Sequence, residues 1–533
     1  MGVRGAGMVC QSEQLRLSKL YRRMITSLWE LLTTGQAEWA EQYEADELAY
    51  QEYLASDALR QRVCGTAQHR QSGLSELEQR VLQCLWLEMM EQQGPSQLRR
   101  QIAACWSQLV YTISTCRATI GDRSLTEQQV LSVLAGERDQ AQRKEVWKAW
   151  MRMGEEVAPE LLTLVQLRNE MAQHAGYDNY HDVKLATQEL DWRQLSQMIR
   201  TLRDELDPLY RQVKAEVDAE VAQQFQIAVS QIKPWHYQHP FFQQQAMDVV
   251  LPELSVGDSF EERLTDLFAG YGLAIGPLLK RSDVYSRPDK SPASFSLHLD
   301  RAGDVRLSCH LEQGGDGLPL LLHELGHAAY EIGIDSDLPY ALRQPGHTFL
   351  SEAVALLFER LACDREWLRR LGCKRLPDQE RLDKWSRRNR LIKLYWTMTV
   401  VLFERELYTN PGQQLNQCWW DLVEEVQGVR RPDEWDLPHW AAKAHLSTLP
   451  VYYQNYLLGE IAAAQLLSAF QQVGEGWPSR EAFHRLQATL FSPGASKRWD
   501  QLLPLFCGEP VTVAPLIAQV ADGHNLSARD RLA

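Results

Sequence analysis

The 533-residue sequence lacks features that mark several large classes of protein. Its most apolar run, residues 394–403, is about half as long as a membrane-spanning helix requires. The ten cysteines include no C-x-x-C pair, which favours reduced thiols in a cytosolic protein over a disulfide framework. Acidic residues outnumber basic ones by 14, which argues against a general nucleic-acid-binding protein. The N-terminus also lacks the apolar core of a signal peptide. We therefore expect a soluble cytoplasmic protein without nucleic-acid or membrane partners.

Helical patterning dominates what is present. Apolar residues recur three and four positions apart from about residue 12 to 225, where proline is scarce, and again from 349 to 520. The clearest strand signal, residues 293–311, reads as a β-hairpin with a glycine-containing turn. An edge strand there could pair with an extended peptide, or the hairpin could be purely structural. The sequence predicts a mainly α fold with one short hairpin.

The motif H-E-x-x-H at residues 323–327 is the strongest chemical signal. On a helix, His323 and His327 lie on one face and can bind one zinc ion, while the carboxylate of Glu324 can reach a water on that ion. The motif arises by chance in roughly a few per cent of chains this long. A chance copy would usually lie on a solvated face, whereas leucines and alanines surround this one. We therefore predict a zinc-binding helix with Glu324 as its base.

A catalytic zinc site needs a third protein ligand, with one position left for water. Residues 348–361 read as an apolar helix that carries Glu352 in its first turn. A carboxylate on an apolar face is costly unless it has a partner, so Glu352 is the predicted ligand. His347 and Glu359 are the alternatives, and Glu352 could instead cap the helix N-terminus.

Together these segments resemble the angiotensin-converting-enzyme-like peptidyl-dipeptidases, which are gluzincin metallopeptidases, and in particular their compact bacterial members. The resemblance is carried by five segments whose motifs are jointly specific. They are H-E-L-G-H (323–327), D-L-P-Y-A-L-R (337–343), S-E-A-V-A (351–355), and A-K-A-H-L (442–446) with P-V-Y-Y-Q-N-Y-L-L-G-E (450–460). The resemblance implies one domain over residues 8–520, with a helical lobe (8–225) and a catalytic lobe (226–520) around a deep cleft.

The resemblance also implies roles for individual residues. Zinc would be held by His323, His327 and Glu352, with Glu324 as general base and then general acid. The C-terminal carboxylate of a peptide would be bound by Lys443 and Tyr453. His445 would donate a hydrogen bond to a substrate carbonyl, and Tyr456 would stabilise the oxyanion. Tyr452 competes with Tyr453 for its role, because the spacing from His445 is one residue longer than in the animal enzymes.

Three positions depart from the family pattern. Leu356 replaces an aspartate that orients a zinc histidine, so Glu359 or Glu331 must accept that hydrogen bond if orientation is kept. Asn455 replaces an arginine that helps to bind chloride. The glutamine that helps to hold the substrate carboxylate has no clear counterpart, and Tyr237 and Gln238 are the candidates.

The expected function is zinc-dependent release of C-terminal dipeptides from short peptides. A thimet-type oligoendopeptidase is the alternative with the same chemistry, because it also combines H-E-x-x-H with a glutamate helix. A catalytically silent zinc- or peptide-binding scaffold is the alternative from another class. The sequence leaves the oligomeric state, the peptide and the chloride response open.

Overall fold

The computed structural model describes residues 10–69, 73–245, 258–287, 290, 291, 293–312, 317–373, 376, 378–471 and 476–521. Helices dominate these residues, so the prediction of a mainly α fold is confirmed. The chain forms two compact units, each assembled from separate segments. Unit 1 comprises residues 1–92, 249–383 and 458–533, and unit 2 comprises residues 93–248 and 384–457. The single domain expected over residues 8–520, with its division near residue 225, stays a prediction.

Unit 1 contains most of the short strands and two helices that prove central to the site. Its helices are α1 (Gln11–Thr34), α2 (Ala37–Leu54), α3 (Asp57–His69), α4 (Glu76–Met90), α11 (Asp258–Gly270), α12 (Gly276–Leu279), α13 (Leu318–Ile332), α14 (Thr348–Glu359), α15 (Arg365–Arg370), α20 (Arg480–Leu486), α21 (Trp499–Cys507) and α22 (Ala514–Ala521). Its strands are β3 (Asp283–Tyr285), β4 (Phe295–His298) and β5 (Val305–Leu311).

Unit 2 is built from longer helices and one small hairpin. Its helices are α5 (Ser96–Thr115), α6 (Glu127–Gly136), α7 (Gln140–Met151), α8 (Met153–His174), α9 (Tyr180–Thr187), α10 (Trp192–Phe225), α17 (Leu415–Leu422) and α18 (His445–Thr448). Its strands are β1 (Ala118–Ile120) and β2 (Arg123–Leu125), which pair antiparallel. The helices α16 (Gln379–Thr409) and α19 (Tyr453–Gln471) each contain a residue position at which one unit ends and the other begins.

The predicted hairpin before the H-E-x-x-H helix is present. Strand β4 pairs antiparallel with β5, from Phe295 opposite Ser308 to His298 opposite Val305. Strand β3, which the sequence pattern did not reveal, pairs parallel with the other side of β5. Within the described sheet the order is therefore β3-β5-β4, and β4 is an edge strand that packs against α13.

Helix α13 has a glycine directly before its first residue and another directly after its last. Gly317 precedes it with a φ of 94°, a conformation that suits glycine, and an added Cβ there would lie 2.7 Å from the carbonyl oxygen of His310. Pro319 occupies the first turn, where its missing N–H costs nothing, and Gly333 follows the last residue. Leu322 and Leu325 are fully buried, and each contributes about 1.5–3 kcal/mol relative to an exposed leucine.

Two further sequence expectations concern the membrane and the cysteines. In the described residues, no helix combines the length and apolarity that crossing a bilayer demands. All ten cysteines fall within the described residues, and each is a free thiol, as predicted.

Candidate metal centre and peptide-binding residues

The predicted ligands of the metal come together between α13 and α14. One nitrogen of His323, one nitrogen of His327 and one carboxylate oxygen of Glu352 all lie within 4.8 Å of one another. Glu352 Oε2 is 3.5 Å from Nε2 of His323 and 3.8 Å from Nε2 of His327. Ligands about 2.0–2.1 Å from a tetrahedral zinc would be separated by roughly 3.3 Å, so the two glutamate–histidine distances would shorten by only about 0.2–0.5 Å to fit this ion.

Close helix packing produces this convergence. Gly326, inside the H-E-x-x-H motif, lets α13 approach the backbone of α14 so closely that an added Cβ would lie 2.5 Å from Cα of Ala355. On the other side, Gly459 of α19 leaves room for Glu352, whose Cβ would lie 2.8 Å from a Cβ added there. Two glycines therefore fix the glutamate relative to the histidine pair.

The other nitrogen of each histidine is already engaged. Nδ1 of His323 donates to Oε2 of Glu359 at 2.9 Å, and Nδ1 of His327 is hydrogen bonded to the hydroxyl of Ser351 at 2.8 Å. Contacts of this kind set the tautomer, so that Nε2 of each ring is the atom available to a metal. Glu359 thus makes the contact that the sequence assigned to either Glu359 or Glu331, and Ser351 is a partner that sequence reasoning missed.

The alternative third ligand, His347, has a different place in the structure. It precedes α14, and its Nδ1 accepts a hydrogen bond from the backbone N–H of Phe349 at 3.0 Å. His347 therefore caps the helix, which is the role the sequence left open for Glu352. The capping contact gives His347 a different role from that of Glu352.

The electrostatics of the group suit a dication. Burial alone would lower the pKa of His323, but hydrogen bonds to Glu352 and Glu359 raise it to about 10. The pKa of His327 falls to about 4, chiefly through burial. Negative charge is therefore concentrated beside the Nε2 atoms, and two imidazoles with one carboxylate are the donors that zinc prefers.

Glu324 lies next to His323 in α13 but differs from the two histidines in its chemistry. It is 8% exposed, and burial raises its pKa to about 7, partly opposed by His323. The backbone N–H of Ser296, on the edge strand β4, hydrogen bonds to its carboxylate. A carboxyl group with a pKa near neutrality can both accept and donate a proton at pH 7.

The predicted peptide-binding residues form a second group, within unit 2. Nζ of Lys443 donates to Oε1 of Gln243 at 2.9 Å and lies 5.6 Å from the ring centroid of Trp396. Nε1 of Trp396 donates to the hydroxyl of Tyr453 at 3.3 Å, so the lysine and the tyrosine share one indole as a neighbour. Burial lowers the pKa of Lys443 to about 8. The assignment of Tyr453 rather than Tyr452 stays a prediction.

Two further members of this group are His445 and Tyr456. The imidazole of His445 lies 5.4 Å from the ring of Tyr453, and burial, reinforced by Lys443, lowers its pKa to about 3. It is therefore neutral at pH 7 and keeps one N–H to donate. Tyr456 follows one turn after Tyr453 in α19, with ring centroids 5.4 Å apart.

Sequence reasoning missed Gln243. It follows directly after the segment 233–242, which is rich in histidine, proline and aromatic residues. Its contact with Lys443 spans 200 positions of sequence, and no local pattern encodes it. Tyr237, one of the two candidates for this position, instead uses its hydroxyl with Asp218 and Lys214.

A comparison with protein-family models gives a match over the N-terminal part of the chain. The model described as angiotensin-converting enzyme, Peptidase_M2, matches residues 5–236. The match supports an angiotensin-converting-enzyme-like peptidase family for this chain.

The matched stretch ends before the H-E-x-x-H helix and covers less than half of the chain. The motifs that carry the sequence resemblance lie between residues 323 and 460, so the two lines of support use residues that do not overlap. The N-terminal part of the chain and, independently, its site motifs therefore both support a peptidase.

Proposed function

We propose that this protein is a zinc-dependent peptidyl-dipeptidase that releases dipeptides from the free C-terminus of short peptides. The observation that carries the proposal is the convergence of His323, His327 and Glu352, with Glu324 in the same helix as the two histidines. This donor set is that of a catalytic zinc site, in which three protein ligands leave one position for water or substrate.

The chemistry that zinc supplies in such a site is polarisation of the scissile carbonyl and acidification of a water molecule to a pKa of about 7. Glu324 would accept the proton of the attacking water and return it to the nitrogen of the leaving amine, which breaks the C–N bond. A pKa of about 7 suits both halves of that cycle. Glu359 and Ser351 would hold the two imidazoles in one orientation throughout.

The residues of unit 2 would recognise the end of the peptide. Lys443 would pair with the C-terminal carboxylate, assisted by the amide of Gln243 and the hydroxyl of Tyr453. Neutral His445 would donate to a substrate carbonyl, and the phenol of Tyr456 would donate to the oxyanion. A half-buried ammonium group binds a carboxylate more strongly than one in water, because the local dielectric is lower.

Strand β4 offers a further contact for an extended substrate. It is an edge strand in the described sheet, and the N–H of Ser296 already reaches Glu324. Backbone pairing of a peptide with such an edge provides affinity that is independent of side chains. Of the two interpretations of the hairpin, its edge position favours substrate pairing.

The decisive experiment is product analysis on an unblocked hexapeptide. We expect sequential release of dipeptides from the C-terminus, which stops when a chelator removes the metal and resumes when zinc is added. The same hexapeptide with an amidated C-terminus should resist cleavage. Internal cleavage of both peptides would contradict the proposal in favour of an oligoendopeptidase.

The variant Glu324→Gln distinguishes an enzyme from a silent scaffold. It removes the base but preserves the size of the side chain, so zinc binding should persist while turnover falls by about 10²–10⁴-fold. Equal turnover by the wild type and this variant would refute catalysis by this site.

A further inference from the structure

The segment between Lys443 and Tyr453 contains a strained residue. Val451 has a φ of 52°, in the left-handed region that β-branched residues rarely adopt. It is 1% exposed and lies between His445 and Tyr453, the residues proposed to bind the peptide. Such a conformation persists only where the surroundings determine it, so the contacts of Val451 show what holds the segment in shape.

Buried side chains hold both backbone polar groups of Val451. Its N–H donates to Oε1 of Glu404 at 2.8 Å, and its carbonyl accepts from Nε2 of Gln454 and, at 3.4 Å, from Nε2 of Gln188. Glu404 is 2% exposed. A buried backbone N–H without an acceptor is costly, so the Glu404 contact opposes relaxation of the strained turn.

A second buried contact lies on the same segment. Nη2 of Arg168 donates to the carbonyl of Ser447 at 3.4 Å, and its Nη1 donates to the hydroxyl of Tyr408 at 3.0 Å. Arg168 and Tyr408 are both buried, as is Ser447. The segment is therefore tied to the interior of unit 2 at two carbonyls and one N–H.

Helix α16 connects these ties to the residues that would contact substrate. It carries Glu404, which contacts Val451, and Trp396, which contacts the hydroxyl of Tyr453 and lies beside Lys443. Trp396 and Glu404 are eight positions apart, slightly more than two turns, so their side chains project about 80° apart around the helix axis. One rigid element thus fixes both the turn and the tyrosine that follows it.

We propose that Glu404 is a positioning residue that sets the distance between Lys443 and Tyr453 by holding the strained turn at Val451. The proposal rests on the proposed function, because it takes these two residues to bind the C-terminal carboxylate of a peptide. Glu404 would not touch the substrate. Its effect would be specific to ligands with a free carboxylate, whereas a residue with a general structural role would weaken all ligands alike.

The test compares two variants of the full-length, zinc-loaded protein. Glu404→Leu removes the acceptor for the N–H of Val451, while Glu404→Gln keeps a carbonyl oxygen at the same reach. Burial raises the pKa of Glu404 to about 8, so the neutral glutamine also matches its charge at pH 7. Calorimetry then measures the Kd of alanyl-phenylalanine and of its C-terminal amide, and metal analysis measures the zinc content.

We expect the wild type and Glu404→Gln to prefer the free acid to the same extent. In Glu404→Leu the ratio of the Kd of the amide to the Kd of the free acid should fall by about tenfold, which is equivalent to one charge-assisted contact. The Kd of the amide and the zinc content should stay unchanged. An undiminished preference in Glu404→Leu would overturn the inference and leave the proposed function standing. A wild type that binds acid and amide equally would overturn both.

Glu404→Asp keeps the test decisive if the leucine variant fails to fold. Its carboxylate is shorter by one methylene and cannot reach the N–H of Val451 without a shift of the turn. A reduced preference for the free acid, restored in Glu404→Gln, would support the positioning role. A preference equal to that of the wild type would refute it.

Discussion

For the substitution Gly326→Ala, helix propensity and tertiary packing predict changes in stability of opposite sign. It lies inside helix α13, where replacing glycine by alanine stabilises an exposed helix by about 1 kcal/mol. In this structure the added Cβ would lie 2.5 Å from Cα of Ala355 and 3.0 Å from the carbonyl oxygen of Val354. Carbon atoms pack at about 3.5–4.0 Å, so α13 and α14 must separate by about 1 Å at this point.

The free-energy cost of separating the two helices is larger than the gain in helix propensity. Overpacking a tight core destabilises by about 1–3 kcal/mol, so Gly326→Ala should be destabilising by up to about 2 kcal/mol after the propensity gain. The displacement also separates His323 and His327 from Glu352, and metal sites tolerate errors of only about 0.2 Å in ligand distance. We therefore expect a lower melting temperature and zinc affinity reduced by at least about tenfold.

A matched control exists in the same unit. Gly65 lies within helix α3, and a Cβ added there meets no atom within 4 Å. Gly65→Ala should therefore leave zinc affinity unchanged and raise the melting temperature slightly. Thermal unfolding with zinc titration measures both variants. A Gly326→Ala protein with wild-type stability and zinc affinity would refute the argument that close backbone contact assembles the site.

Three further predictions concern the ligand set, the peptide end and the anion response. Glu352→Ala should abolish stoichiometric zinc binding, whereas His347→Ala should retain zinc and lose about 1 kcal/mol of stability because the helix cap is removed. Metal analysis and thermal unfolding measure the two effects. A greater loss of zinc in His347→Ala than in Glu352→Ala would contradict the ligand assignment. The pKa of Lys443 in the folded protein is lowered to about 8, so the side chain loses its positive charge as pH rises through that value. The KM for a peptide with a free C-terminal carboxylate should therefore rise above pH 8 in the wild type. In Lys443→Met the same KM should not change with pH over this range. Asn455 stands where the resembled family has an arginine that helps to bind chloride, and its amide donates to Oε1 of Gln188. Sodium chloride should therefore change kcat/KM no more than sodium acetate of equal ionic strength. Selective activation by chloride would contradict this prediction.

The sequence predicted the parts of the site that depend on short spacing. His323 and His327 share a helix face, and Glu352 lies in the first turn of a continuous apolar stretch, so local patterns indicated both helices. The hairpin before α13 was predicted in the same way, from a change of period. Strand β3 was missed because three residues are too few for alternation to be visible.

Contacts between distant segments could not be predicted in this way. Gln243 and Lys443 are 200 positions apart, and Val451 and Glu404 are 47 apart. Neither pair has a spacing that a helix or strand would impose, and the folded backbone alone brings their atoms within 3 Å. The division of the chain into two units of separate segments has the same origin, because it depends on which helices pack rather than on composition.

Leu356 stands where the peptidases that this chain resembles carry an aspartate, and Glu359 supplies a carboxylate to His323 instead. A residue four positions after Glu352 lies one turn further along α14, and Glu359, seven positions after it, lies one turn beyond that on the same face. The longer glutamate side chain extends back towards His323 and accepts its Nδ1–H at 2.9 Å. Leu356 therefore does not remove the carboxylate that orients the histidine, because the acceptor has moved by one turn and gained one methylene. Orientation of the imidazole constrains the position of an oxygen atom, and more than one residue on that face of the helix can supply it.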